Sequence, residues 1–147
     1  MNQVPIQKVV VPVDFSDASL GAVDVALQFA ASPEGVHVVY VLPIITDYEA
    51  AIIWENVAGN ARQHQGERAL REKLPGPKYE KVHMMVRVGD AGHEVANFAQ
   101  EIGADLIIVP SHGRRGLSHL LIGSVAERIV RLANCPVLVL KQPRAGT

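Results

Sequence analysis

The sequence predicts an α/β fold, an open parallel sheet covered by helices on both faces. Short continuous apolar runs recur along the chain, among them Lys8–Val13 (KVVVPV), Val36–Leu42 (VHVVYVL) and Leu106–Val109 (LIIV). Such runs mark strands buried on both sides. Segments with helical spacing of apolar residues lie between them. Strands alternating with helices at this pitch call for right-handed crossovers and a parallel sheet. In such sheets ligands sit beyond the carboxyl ends of the strands, where the winding direction reverses.

Each element has its own signal. After the first strand, Asp14-Phe15-Ser16-Asp17 is a cluster able to cap a helix. From Ala18 to Ala31, Leu20, Val23, Leu27 and Ala30 recur at helical spacing, and Ser32-Pro33-Glu34-Gly35 stops that helix. Pro43 ends the second strand. Tyr48 to Leu74 is mostly helix-forming but interrupted by Gly59 and Gly66, so it reads as one long or broken helix closed by Pro75-Gly76-Pro77. Val82, Met84, Val86 and Val88 alternate with His83, Met85 and Arg87 in a third strand. Gly89-Asp90-Ala91-Gly92 then turns the chain into a helix with Val95, Phe98 and Ile102 on its inner face, ended by Gly103. Leu106–Val109 is the fourth strand. Ser124-Val125-Ala126-Glu127 has the form of a capping box, which predicts Ser124 as N-cap and a helix carrying Val125, Ile129, Leu132 and Ala133 inward. Val137–Leu140 is the fifth strand, wholly apolar and without the charges that guard a free edge, so a partner is expected to cover it. Residues after Lys141 are expected to be loose.

Composition narrows the class. The 147 residues suit one domain with a real core, and 48% apolar with 20% charged residues is ordinary for a globular protein. A formal charge of −1 gives no general attraction for nucleic acid or acidic membranes. No apolar run approaches the ~20 residues that cross a bilayer. The start, MNQVPIQK, lacks the apolar core of a signal peptide, and the single Cys135 forms no internal disulfide. A cytoplasmic protein is the expectation, with neither nucleic acid nor membrane as partner.

One stretch carries chemistry: Leu106 to Val125, LIIVPSHGRRGLSHLLIGSV. A strand feeds a Pro-Ser-His-Gly turn and a basic Gly-rich loop, and a helix begins at Gly123-Ser124. Glycine lets a backbone approach closely, and the unpaired N–H groups of a helix start favour an anion. The same shape also serves as a plain strand-to-helix connection. Asp14 is open to two readings, a ligand acceptor or a cap for the next helix. Arg114 and Arg115 pair with phosphates or with water. His112 reads as a structural hydrogen-bonder in a turn, and Cys135 as a packing residue. His93-Glu94 begins like a zinc motif, but position 97 is Asn. No G-x4-G-K-S/T loop and no paired carboxylates are evident, so any ATP hydrolysis is expected to be slow and incidental.

KVVVPVDFS, VRVGDAGHEV and ADLIIVPSHGRRGLSHLLIGSVAERIVRLANCPVLVLK together resemble the universal stress protein family over the whole chain. Its nucleotide-binding branch carries a G-x2-G-x9-G-S/T signature. Gly113 takes the second glycine and Gly123-Ser124 completes the pattern, but Pro110 stands at the first glycine. The resemblance implies one Rossmann-like domain whose five strands run in the order 3-2-1-4-5, with the last strand, Val137–Leu140, pairing with its copy in a homodimer. It implies adenine-nucleotide contacts at Pro12, Val13 and Asp14, at Val41 and Gly89, at Ser111, His112, Gly113, Arg115 and Gly116, and at Gly123, Ser124 and Val125. ATP is expected over AMP or ADP, with Mg²⁺ at Asp14 as one option, in a stress-response regulator acting on an unidentified protein partner. The alternatives are a dimeric interaction module of the same fold that binds no nucleotide, and an enzyme of the related nucleotide-hydrolase type. The latter's Ser-Gly-Gly loop is absent after the first strand. Proline supplies no N–H, so Pro110 removes a donor if the family's glycine offers one to the ligand.

Overall fold

Successive side chains of a strand point to opposite faces, so an apolar run in a covered sheet feeds two cores at once. The computed structural model describes residues 5–45, 61–112 and 122–141 and shows this division. Its principal elements are β1 (Val9–Pro12), α1 (Asp17–Phe29), β2 (Val36–Leu42), α2 (Ala61–Lys73), β3 (His83–Val88), α3 (Ala91–Ile102), β4 (Leu106–Pro110), α4 (Ser124–Leu132) and β5 (Val137–Leu140). The five strands are all parallel, in the order β3-β2-β1-β4-β5. The chain winds outward from β1 to β3, then returns past β1 to β4, so its direction reverses between β1 and β4. Val9, Val11, Val13, Val38 and Ile108 face α1 and α2, while Val10, Val39, Ile107 and Val109 face α3 and α4.

The helices follow the sequence with three corrections. In α1 the buried residues are Ser19, Ala22, Val23 and Ala26, whereas Leu20 and Leu27 pack at the rim. Alanines let the helix lie close to the sheet. Gly66 does not break α2: a Cβ there would stand 3.0 Å from Cγ2 of Val86, so its bareness is what lets helix and β3 touch. Gly59 and the rest of the expected helix before residue 61 lie outside the described residues, as do those after Lys141. The third correction concerns α4. Gly123 is the N-cap and makes no side-chain cap bond, and Ser124 is already helical, so no capping box forms. The Gly123 N–H is committed to the Ser111 carbonyl at 2.5 Å, which fixes it as the last extended residue. Accordingly Ala126 and Ile129 turn inward, while Val125 and Leu132 are 40% and 37% exposed.

The remaining helix boundaries are chemically plain. The Ser16 hydroxyl accepts from the Ser19 N–H at 3.1 Å, and Asp90 accepts from the His93 N–H at 3.0 Å. Gly103 adopts φ 66° at the end of α3. α3 is pinned to β3 by Arg87, whose guanidinium bonds Glu101 at 2.8 and 3.0 Å and Glu94 at 3.0 Å while lying over Phe98. At the opposite end of the sheet from the carboxyl edge, the His37 and His83 rings stack with centroids 4.5 Å apart.

Ile108 of β4 is fully buried in the first core, in the cluster that holds Ala22, Val23 and Ala26 of α1. Ile108→Ala is expected to cost about 2–5 kcal/mol, read as a shift in urea midpoint. Burial, with help from His83 and Lys8, pushes the His37 imidazole below its usual value. The unfolded chain therefore takes up a proton, near about pH 6.5, that the folded ring still resists. Stability contributed by neutral His37 is full above that pH and is lost as pH falls through the folded value. Urea midpoints should drop between about pH 8 and pH 5.5, and less steeply in His37→Gln.

Candidate functional site

β1 and β4 pair over only two positions, Val9↔Leu106 and Val10↔Ile107. β1 continues with β2 to Pro12↔Val39, and β4 continues with β5 to Pro110↔Leu140. The β1–β4 ladder therefore ends before the carboxyl ends of the two strands, at the switch point where ligands sit in sheets of this kind. Ladder directions show what faces it. The Val13 N–H donates to Val39 at 2.9 Å, away from β4, and the N–H groups of Ile107 and Ser111 donate toward β5 at 3.0 and 2.8 Å. Backbone groups alternate sides along a strand, so the nitrogens of Pro12 and Pro110 are those turned to the gap. Neither carries a hydrogen, and the end of the ladder strands no amide there. Pro110 is buried, extended and part of β4.

Strand alternation also sorts the side chains. Pro12, Val41 and Ser111 lie in register with Val10, Val39 and Val109, on the α3 and α4 side. Val13 belongs to the opposite core, and its N–H is already used.

Beyond β1, the Asp14 Oδ1 accepts from the Ser16 N–H at 3.0 Å and from the Ser16 hydroxyl at 2.6 Å. Asp14 therefore holds the capping serine and is not itself the cap. Between them Phe15 takes φ 67°, a left-handed conformation that costs a non-glycine residue roughly 1–2 kcal/mol. Its ring packs edge-on to Tyr40 at 4.7 Å. Nothing in the DFSD pattern announced this strain.

Gly89 leaves β3 at φ 147° and donates to the Leu42 carbonyl at 2.9 Å, which brings the next residue, Asp90, to the same edge. The Asp90 carboxyl is held below the usual range first by the His93 ring, then by the His93 N–H and by Arg128. Beyond β4, Ser111 is buried with its hydroxyl 3.2 Å from His112 Nδ1. A Cβ on Gly123 would stand 3.0 Å from the Ser111 oxygen, so glycine is favoured by this tight contact and not by φ, which is −75°. Ser124 and Val125 follow as the first residues of α4, whose opening N–H groups have no intrahelical acceptor.

The structure thus gathers Pro12, Asp14, Ser111, His112, Gly123, Ser124 and Val125 around the gap between β1 and β4. Val41 and Gly89 lie farther along the same edge. Gly113, Arg114, Arg115 and Gly116 are outside the described residues. Cys135 is elsewhere, and burial pushes its thiol up, which suits a packing role.

The universal stress protein family profile matches residues 5–141. The chain belongs to the universal stress protein family. Among relatives, Universal stress protein MJ0531 of Methanocaldococcus jannaschii is 35% identical over 144 residues, covering 94% of this chain and 84% of that one. Universal stress protein YxiE of Bacillus subtilis is 28% identical over 145 residues, covering 91% and 98%. The solved structure of MJ0577, also from M. jannaschii, superposes with a TM-score of 0.80 at 27% identity, covering 97% and 100%. A crystal structure of a universal stress protein in complex with cAMP superposes with a TM-score of 0.65 at 26% identity, covering 93% and 98%.

The contact at Gly123 is open to a direct check. Gly123→Val must push α4 off the Ser111 turn and is expected to cost about 1–3 kcal/mol in a denaturant melt.

Proposed function

We propose that this universal stress protein binds an adenine nucleotide, ATP in preference to ADP or AMP, in the crevice between β1 and β4. It acts as a cytoplasmic homodimeric regulator in a stress response, with catalysis absent or limited to slow ATP hydrolysis. The observation that carries this reading is the end of the β1–β4 ladder at the switch point, with the first turn of α4 tied by Gly123 to the turn that leaves β4. A helix start offers unpaired N–H groups and the positive end of its dipole to an anion.

In this reading Ser124, Val125, Gly113 and Gly116 serve the phosphates, with Arg115 favouring the triphosphate. Asp14 accepts from the nucleoside or holds Mg²⁺, Val41 and Gly89 border the base, and Pro12, Ser111 and His112 shape the floor, while Val13, turned to the opposite core, is left out of the contacts. The cAMP complex of a related chain supports an adenine nucleotide as ligand class. The half-buried, wholly apolar edge strand β5 supports a dimer formed through Val137–Leu140. Nucleotide occupancy then shifts the dimer or a protein partner only as far as the two states differ in affinity.

The test is to denature purified protein, assay released nucleotide, and titrate the stripped protein with ATP, ADP and AMP in the presence of Mg²⁺. ATP should bind tightest. Pro110→Gly restores an N–H on the gap side of β4 and should tighten ATP binding by roughly ten- to a hundredfold, the worth of a hydrogen bond to a charged group. No binding at millimolar ATP by either protein would favour the interaction module instead.

A further inference from the structure

One ion pair joins the turn after β3 to the helix after β4. The Asp90 carboxylate makes three contacts: Oδ2 takes the His93 N–H at 3.0 Å and lies 2.8 Å from His93 Nδ1, and Oδ1 takes Arg128 Nη1 at 2.5 Å. Beneath the pair, α3 presents Gly92. A Cβ at that position would stand 2.8 Å from each of Cβ, Cγ and Cδ of Arg128, so the arginine stem lies directly on bare backbone. Any larger residue lifts the whole stem, not merely its flexible tip. The guanidinium is thereby aimed at the cap of α3, and the start of α3 is locked to α4 at Arg128, one turn beyond Ser124. Ala126 and Ile129 bury the inner face of α4, and among the described residues a backbone bond, Gly123 to Ser111, ties its start to the β4 turn. Two tethers, one to the β4 turn and one to α3, thus fix its direction.

We propose that the Asp90–Arg128 pair, seated on Gly92, is the positioning device that aims the first turn of α4 at the crevice and so sets its affinity for an anionic group. The proposal rests on the nucleotide reading for its ligand, but the tether is a property of the protein alone. Arg128 is a positioning residue: its guanidinium is engaged by Asp90, and it acts through the amides at the start of α4. Because the nucleoside end of a ligand lies nearer β1 and β2 in that reading, the tether should matter for phosphate and not for adenosine.

The experiment compares wild type with Arg128→Gln, Arg128→Lys, Gly92→Ala, Asp90→Asn and the double variant Asp90→Asn/Arg128→Gln. Asparagine keeps a capping oxygen for α3, so Asp90→Asn removes charge while sparing the cap. Two readouts are taken: affinity for MgATP and for adenosine, and amide hydrogen exchange in nucleotide-free protein of residues 127–130, the first whose N–H groups are bonded within α4. Arg128→Gln and Gly92→Ala should weaken MgATP about fivefold, the upper range for a partly exposed pair, and leave adenosine unchanged. Arg128→Lys should recover part of the loss, and the double variant should be no weaker than Arg128→Gln. Exchange at the start of α4 should quicken in every variant that breaks the pair. Equal losses for MgATP and adenosine, or additive losses in the double variant, would overturn the proposal, as would unchanged exchange in Arg128→Gln. If wild type binds neither MgATP nor adenosine, the nucleotide reading fails by itself, and the exchange comparison still decides the tether.

Discussion

A strand that leaves its neighbour inside a parallel sheet must do something with the backbone groups that lose their partners, and here proline solves half of that problem. Pro12 and Pro110 occupy the positions of β1 and β4 whose nitrogens turn toward the other strand, so the ladder ends after Val10↔Ile107 without orphaning an amide at either place. The carbonyls at those positions face the same way as the nitrogens, so among the described residues the two strands offer acceptors there and no backbone donor from either proline. Donors are concentrated instead at the start of α4. A crevice with acceptors at one end and free amides at the other has the polarity of a nucleotide, whose amine and hydroxyls donate and whose phosphates accept.

The strands were legible because burial on both faces leaves a plain mark, an unbroken apolar run. β3 was legible for the opposite reason: as an edge strand it alternates, with His83 and Met85 exposed and Val86 buried, although Arg87 packs over Phe98 and Val88 at the strand end is exposed. What the periodicity could not give was rotation. Leu20 and Leu27 mark a helical stripe, but Ala22 and Ala26 lie on the sheet, because closeness of approach and not hydrophobicity decides which face docks. Gly66 misled for the same reason. A glycine within a helix reads as an interruption until the side chain that would collide with a Cβ, here Val86, is known.

The candidate site divides along similar lines. Gly123 and Asp14 stood out through the family pattern, yet their local reasons differ from those the pattern suggests. Gly123 is small because the Ser111 carbonyl leaves little room, and Asp14 serves the cap through Ser16. The capping-box reading of Ser124 failed because a tertiary hydrogen bond, Gly123 to Ser111, outranked a local motif. Phe15 and the Asp90–Arg128 pair left no trace in the sequence. A left-handed aromatic is fixed by its contact with Tyr40, and the ion pair spans 38 positions that only the α3–α4 packing brings together.

The two edges of the sheet are built for different fates. β3 carries Arg87, tied to Glu94 and Glu101, and a charge on an outer strand discourages pairing with another chain. β5 carries only Val137, Leu138, Val139 and Leu140, all partly buried, so the proposed dimer has one suitable edge. That edge is a single strand away from the crevice, and the connection is short: the Ser111 N–H at the crevice donates to Leu140 at the end of β5 at 2.8 Å. The Ser111 carbonyl, in turn, takes the N–H of Gly123. One peptide turn therefore links the start of α4 to the surface proposed for the second copy. Displacement of that turn by a bound anion would be felt at β5 through two hydrogen bonds, and by reciprocity a change in pairing at β5 would alter the grip of α4.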